Sequence, residues 1–113
     1  MTADRRISSG GPWVLVSGST STVDGEVRHE GDAYAQTLEA FGVVRRALEQ
    51  AGLGLSDVVR TRMYLADIDD QDAVGRAHSE LFGEVRPAAT MVEVSRFVDP
   101  RMLVEVEADA YRQ

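Results

Sequence analysis

Residues 102–111, Met-Leu-Val-Glu-Val-Glu-Ala-Asp-Ala-Tyr, constrain the fold more than any other stretch of the chain. Successive side chains of a strand point to opposite faces, so Val104, Val106, Ala108 and Ala110 line one face. Leu103, Glu105, Glu107 and Tyr111 line the other. A strand written this way belongs to a sheet with one face packed on a core and a second face of different character. The pattern recurs over Asp57 to Leu65: Val59, Thr61, Met63 and Leu65 point one way, and Val58, Arg60, Arg62 and Tyr64 the other.

Two helices fit between and beside these strands. Asp32 is an N-cap residue and Gly52 sits where a C′ glycine belongs, with Leu38, Phe41, Val44, Leu48 and Ala51 forming an apolar stripe between them. Gly42 lies beside that stripe, as a close helix-on-sheet approach would require. A second helix runs from about Asp70 to Phe82, with Val74, Ala77, Leu81 and Phe82 as its apolar face and Gly83 as its stop. The apolar run Trp13-Val14-Leu15-Val16-Ser17 is a buried strand ended by Gly18, and Asp24-Gly25 marks a turn between two short strands. Ala89 to Ser95 is a further strand, joined to the last one by a turn around Asp99-Pro100. The order strand, helix, strand, helix, strand, strand gives a single α/β (α+β) domain over residues 1–113, a mixed sheet with both helices on one face.

The helix-free face is then the unusual part of the molecule. It carries Arg60, Arg62, Tyr64, Met91, Glu93, Leu103, Glu105 and Glu107, a mixture of apolar groups and paired charge typical of a subunit interface. A chain of 113 residues buries only roughly 65% of its unfolded surface, so association would add stability.

Composition excludes several classes of chemistry. There is no Cys, which removes thiol nucleophiles, disulfides and thiolate metal sites. All 12 basic residues are Arg, so Schiff-base and P-loop lysines are also absent. A net charge of −7 argues against a nucleic-acid surface, whose affinity rests on clustered cations. Met1 to Gly11 has no apolar core of a signal peptide, and no apolar run approaches a membrane span, so a cytoplasmic location is expected.

Local motifs give little more. Asp67, Asp69, Asp70 and Asp72 resemble a calcium loop, but Gln71 and Asp72 occupy the positions that need a ligand and a glycine; acidic capping of the second helix explains them. His29 and His78 are far apart and lack metal-site context, so no metal is expected. Neither Ser8, Ser9 nor Ser17 sits in a nucleophile elbow. Glu105 and Glu107 share a sheet face, where they can pair across strands with Arg60 and Arg62. Alternatively, one of them lies in an interface cleft and orients a water as general base.

Five blocks taken in order add what the motifs lack: Val16-Ser17-Gly18, Ala51-Gly52-Leu53, Asp57-Val58-Val59-Arg60-Thr61, the run Arg86-Pro87-Ala88-Ala89-Thr90-Met91-Val92-Glu93-Val94, and Val104-Glu105-Val106-Glu107-Ala108. Together they closely resemble the reactive-intermediate deaminase family (Rid, YjgF-like, endoribonuclease L-PSP) over roughly residues 13–112. The resemblance implies a chorismate-mutase-like fold of the bacillary type, a homotrimer with a barrel-like core, and clefts between subunits. It implies hydrolysis of enamines and imines to 2-keto acids and ammonia, with no metal and no cofactor. It places the water-orienting Glu at Glu105, and the cleft at Ser17, Arg62, Ala89, Thr90, Met91 and Glu105.

The chain departs from the family pattern twice. The Arg that clamps the substrate carboxylate in the family falls at Ala89, which supplies neither charge nor donor. Ser9-Gly10-Gly11-Pro12 runs straight into the strand at Trp13, so that Arg5 to Ser9 is all that remains of the family's first strand and pocket-closing loop. Three readings follow: a divergent hydrolase in which Arg62 or Arg60 binds the anion, a non-catalytic trimer holding a small metabolite, and, weakest for an acidic chain without lysine, an endoribonuclease.

Overall fold

The structure, a computed structural model, describes residues 7–113. Arg5 and Arg6 lie outside the described residues. The elements run β1 (Ile7–Gly10), β2 (Trp13–Ser19), β3 (Thr22–Val23), β4 (Glu26–Val27), α1 (Ala33–Gln50), β5 (Val58–Leu65), α2 (Gln71–Phe82), β6 (Ala88–Glu93) and β7 (Val104–Tyr111). Among them, β1, β2, β7, β5 and β6 form a five-stranded sheet in that order. All its neighbours are antiparallel except β5 and β6, which the α2 crossover makes parallel. This is the expected mixed α/β sheet.

The core lies between one sheet face and the helices. Val14, Val16, Met63, Leu65, Val104, Val106, Ala108 and Ala110 meet Phe41, Val44, Leu48, Val74 and Phe82. Among the described residues, no buried side-chain polar atom lacks a hydrogen-bond partner. Thr37 donates to the Ala33 carbonyl, and Gln36 bonds the Arg101 carbonyl and the Leu103 amide. Gln36 thereby ties α1 to the start of β7, a role its place between apolar turns does not advertise.

Local chemistry explains most boundaries. The Asp32 carboxylate accepts the Ala35 amide at 2.9 Å, and Gly52 takes φ +80° at the C-terminus of α1, both as expected. Asp24 and Gly25 have φ of 52° and 79°, the two left-handed residues of a tight hairpin turn joining β3 and β4. Asp67 caps the short turn Ile68–Asp70 ahead of α2. Among the described residues, no helix is long and apolar enough to cross a membrane.

Several expectations need correction. The first strand expected within Arg5 to Ser9 runs one residue farther, into the Gly10 taken for a breaker: Ile7–Gly10 pairs fully with β2. Gly18 does not end β2; the strand bulges between Val16 and Ser19 and continues. A second irregularity between Val58 and Arg60 buries Val58 and leaves Val59 exposed, the reverse of simple alternation. The parallel register sets Met91 beside Met63 and Glu93 beside Leu65, on the helix-backed side, and Met91 packs against the core. Leu103 also packs against the core. These three residues are therefore not part of the open face. A Cβ on Gly42 would meet only the ends of Arg46 and Glu39, so no close helix-on-sheet approach explains that glycine.

Candidate active site

The open face of the sheet is organised in cross-strand rows. Arg62 lies between Glu107 on β7 and Thr90 on β6, and Tyr64 lies between Glu105 and Val92. Charge is concentrated in the first row. The Arg62 guanidinium reaches Asp109 at 3.4 Å and Glu107 at 4.0 Å, and the Tyr64 hydroxyl donates to Glu107 at 2.5 Å. That hydrogen bond to a carboxylate raises the Tyr64 hydroxyl above the ordinary tyrosine pKa, with burial adding to it.

Glu105 stands apart from this network. Among the described residues its carboxylate has no hydrogen bond and no cation within 4.0 Å. Burial raises its pKa above the usual carboxylate value, and the negative charge of Glu107 pushes the same way. The carboxylate lies against the backbone of Gly18 in the β2 bulge: a Cβ there would sit 1.9 Å from Glu105 Oε2. Gly18 is thus the residue that makes room for Glu105. At the end of an apolar run Gly18 looks like a strand terminator; its real reason is a contact with a distant strand.

The expected cleft residues are divided rather than gathered. Ser17 and Arg62 line a concavity of about 270 Å³ with Ser8, Leu15, Glu107 and Asp109. Glu105 lines a neighbouring one of about 350 Å³ with Gly18, Thr20, Arg96, Phe97, Val98 and Met102. Thr90 is exposed on the open face beside Arg62. Ala89 pairs with Thr61 and Met91 with Met63, which puts both on the other side of edge strand β6. The expected pairing of Arg62 with Glu107 is present, joined by Asp109, which the sequence reading overlooked.

The remaining titratable candidates have structural partners. His78 shares a hydrogen bond of 2.8 Å with Thr61 and packs against Phe41 and Phe82, where burial lowers its pKa. His29 lies 3.4 Å from Glu39 on the surface. Among the described residues, no three His, Asp or Glu side chains come together as a metal-ligand set.

The model of the family described as Endoribonuclease L-PSP matches residues 6–112. The uncharacterized protein SCO2049 of Streptomyces coelicolor is 45% identical, over 97% of this chain and 93% of its own. The 3-aminoacrylate deaminase RutC of Acinetobacter baylyi is 36% identical, over 76% of this chain and 68% of its own. The crystal structure of Rv2704 from Mycobacterium tuberculosis, of the YjgF/YER057c/UK114 family, superposes with a TM-score of 0.84 at 45% identity, covering 94% of this chain and 84% of that one. The Escherichia coli YjgF structure gives a TM-score of 0.86 at 29% identity, covering 96% and 87%. A match along nearly the entire chain, with the same fold in its relatives, makes the protein a member of the endoribonuclease L-PSP family, the Rid or YjgF-like proteins.

Proposed function

We propose that the protein is a Rid-type hydrolase that converts small enamines and imines to the corresponding carbonyl compounds and ammonia. The observation that carries this reading is Glu105: a lone carboxylate, partly desolvated, seated against Gly18 in a cleft on the open sheet face. A carboxylate with no cation within 4.0 Å among the described residues is poised to exchange a proton with water, and its raised pKa brings it nearer to working pH. The name of the Acinetobacter baylyi relative, a 3-aminoacrylate deaminase, supports the same reaction class.

The chemistry needs no group beyond the chain. An enamine first takes a proton from solvent on its β-carbon and becomes an iminium ion. Ionised Glu105 then accepts a proton from a water molecule as that water's oxygen bonds the imine carbon, and the C=N electron pair moves to nitrogen. Glu105 returns its proton to nitrogen, the C–N bond breaks as the hydroxyl group gives its proton back to solvent, and ammonia leaves a carbonyl group behind.

The working form we propose is a homotrimer in which the open faces meet and Ser17, Arg62 and Thr90 border intersubunit clefts around Glu105, with Ala89 and Met91 behind them on the inner side of β6. Support comes from the exposed Trp13, Leu15, Val92 and Tyr111. The test is the hydrolysis of 2-aminoacrylate, generated in situ. Wild-type protein should accelerate it and Glu105→Gln should not; a wild-type rate equal to background overturns the reading. Ala89, which offers no donor to a carboxylate, favours a second reading, a trimer that binds a small metabolite without turning it over. In that case the assay stays at background while a ligand still binds at the cleft.

A further inference from the structure

Arg96 is the cation that shares a concavity with Glu105. It lies beyond the end of β6, in the loop that leads to β7, and together with Gly18, Thr20, Phe97 and Met102 it lines the cleft of about 350 Å³. It also borders the adjoining concavity lined by Phe97, Val98 and Pro100. Among the described residues, no carboxylate lies within 4.0 Å of its guanidinium. Of the other arginines, Arg60 stands two rows from Glu105, between Asp109 and Ala88, and two more are committed. Arg62 is held by Asp109 and Glu107, while Arg101 makes a two-pronged contact with Asp99, at 3.1 and 2.8 Å, and reaches Glu26 at 3.5 Å.

The loop that carries Arg96 is fixed at both ends. The Val94 amide donates to the Leu65 carbonyl at 2.8 Å. Farther along, Asp99 accepts the Arg101 amide at 2.9 Å and its carbonyl accepts the Met102 amide at 3.0 Å. Arg96 therefore stands on a loop of defined path and lines the cleft together with apolar Phe97 and Met102 and with Glu105. An anionic ligand of a few carbons would find in this one cleft a charge-assisted donor, apolar surface and the Glu105 carboxylate.

We propose that Arg96 is the anion-binding residue of this cleft, taking the carboxylate of a small amino-acid-derived enamine, or of its oxo-acid product, in place of the charge that Ala89 does not supply. The identity of the ligand rests on the hydrolase reading above; the anion site itself does not. A forked guanidinium suits a carboxylate, and losing such a contact weakens binding by roughly ten- to a hundredfold. Arg62 could do the same only by giving up two carboxylates that already neutralise it.

The probe is 2-oxobutanoate, with butan-2-one as its uncharged counterpart, titrated calorimetrically into the intact protein. Wild type should bind the oxo acid in preference to the ketone. Arg96→Ala should weaken oxo-acid binding roughly ten- to a hundredfold, with partial recovery in Arg96→Lys. Arg45→Ala, which removes the same charge from the solvent side of α1, should leave binding unchanged. Equal binding to wild type and Arg96→Ala, or equal loss in Arg45→Ala, overturns the proposal. The 2-aminoacrylate assay separates the two claims. Glu105-dependent turnover whose KM ignores Arg96→Ala removes the anion site and keeps the hydrolase. Arg96-dependent oxo-acid binding with background turnover removes the hydrolase and keeps the anion site.

Discussion

The two faces of the sheet are built from the same strands and obey different rules. On the helix-backed face every position is apolar or satisfied: Val104, Val106, Ala108 and Ala110 are sealed from water, and buried Thr61 bonds His78. On the open face, Arg62, Tyr64, Glu107 and Asp109 form one network, Glu105 stands alone, and Leu15 and Val92 are 44% and 40% exposed. Alternation along a strand lets each residue pair serve both ends: one side chain holds the fold, and its neighbour is released for charge, contact and chemistry. A substitution should therefore report its face. Inner-face changes act on stability, and outer-face changes on activity and association.

The sharpest contrast comes from two substitutions. Phe41→Ala, which removes a fully buried ring packed on Phe82 and His78, should cost about 3–5 kcal/mol in denaturant unfolding. Glu105→Gln should keep the fold and lower the hydrolysis rate by roughly 10²- to 10⁴-fold. A Glu105→Gln protein that unfolds instead would place Glu105 among the structural residues and break the contrast.

Gly18→Ala comes next. The added methyl must displace the Glu105 carboxylate, a flexible end, so circular dichroism should record a folded protein while turnover falls steeply. Unchanged turnover would show that Glu105 needs no particular seat.

A smaller effect follows from pH. The Glu105 carboxyl has its pKa raised in the folded state, so it contributes stability below the ordinary carboxylate pKa and loses that contribution as pH rises through the raised value. Ionised Glu105 is thus a liability near neutrality. Glu105→Gln should melt higher than wild type at about pH 7 and show no such advantage in acid, where both side chains are neutral. A gap that persists in acid would contradict burial as the cause of the shift. Smallest of all, Asp109→Asn should change stability by only about 0.2–1 kcal/mol, because the Arg62 pair is partly exposed.

What the sequence reveals follows the same division. Alternation in β7, the Asp32 cap, the Gly52 C′ position and the Asp24-Gly25 turn are local signals, and each is found where its chemistry places it. Irregularities are not local. The Val59 and Gly18 bulges shift the alternation by one residue, and no composition cue marks them. Edge strand β6 has exposed Ala88, Ala89 and Thr90 and no stripe to orient it, so Met91 and Glu93 were set on the wrong face. The first strand, Ile-Ser-Ser-Gly, has too few apolar residues to show alternation; only the family resemblance points to it, and it pairs because β2 offers it an edge. Glu105 was legible as a member of a paired set, but its isolation was not, since Tyr64 and Asp109 decide which carboxylate Arg62 leaves alone. Arg96 lay outside the reading because its relevance arises only when the loop from β6 to β7 folds over the β2 bulge.

If the open face exists to meet other copies, mass in solution tests it most directly. Sedimentation equilibrium at assay concentrations should return three times the 12.3 kDa of one chain. In the companion experiment, Leu15→Glu should reduce both that mass and the hydrolysis rate while leaving the fold intact. A single-chain mass for wild-type protein that remains fully active would contradict the account.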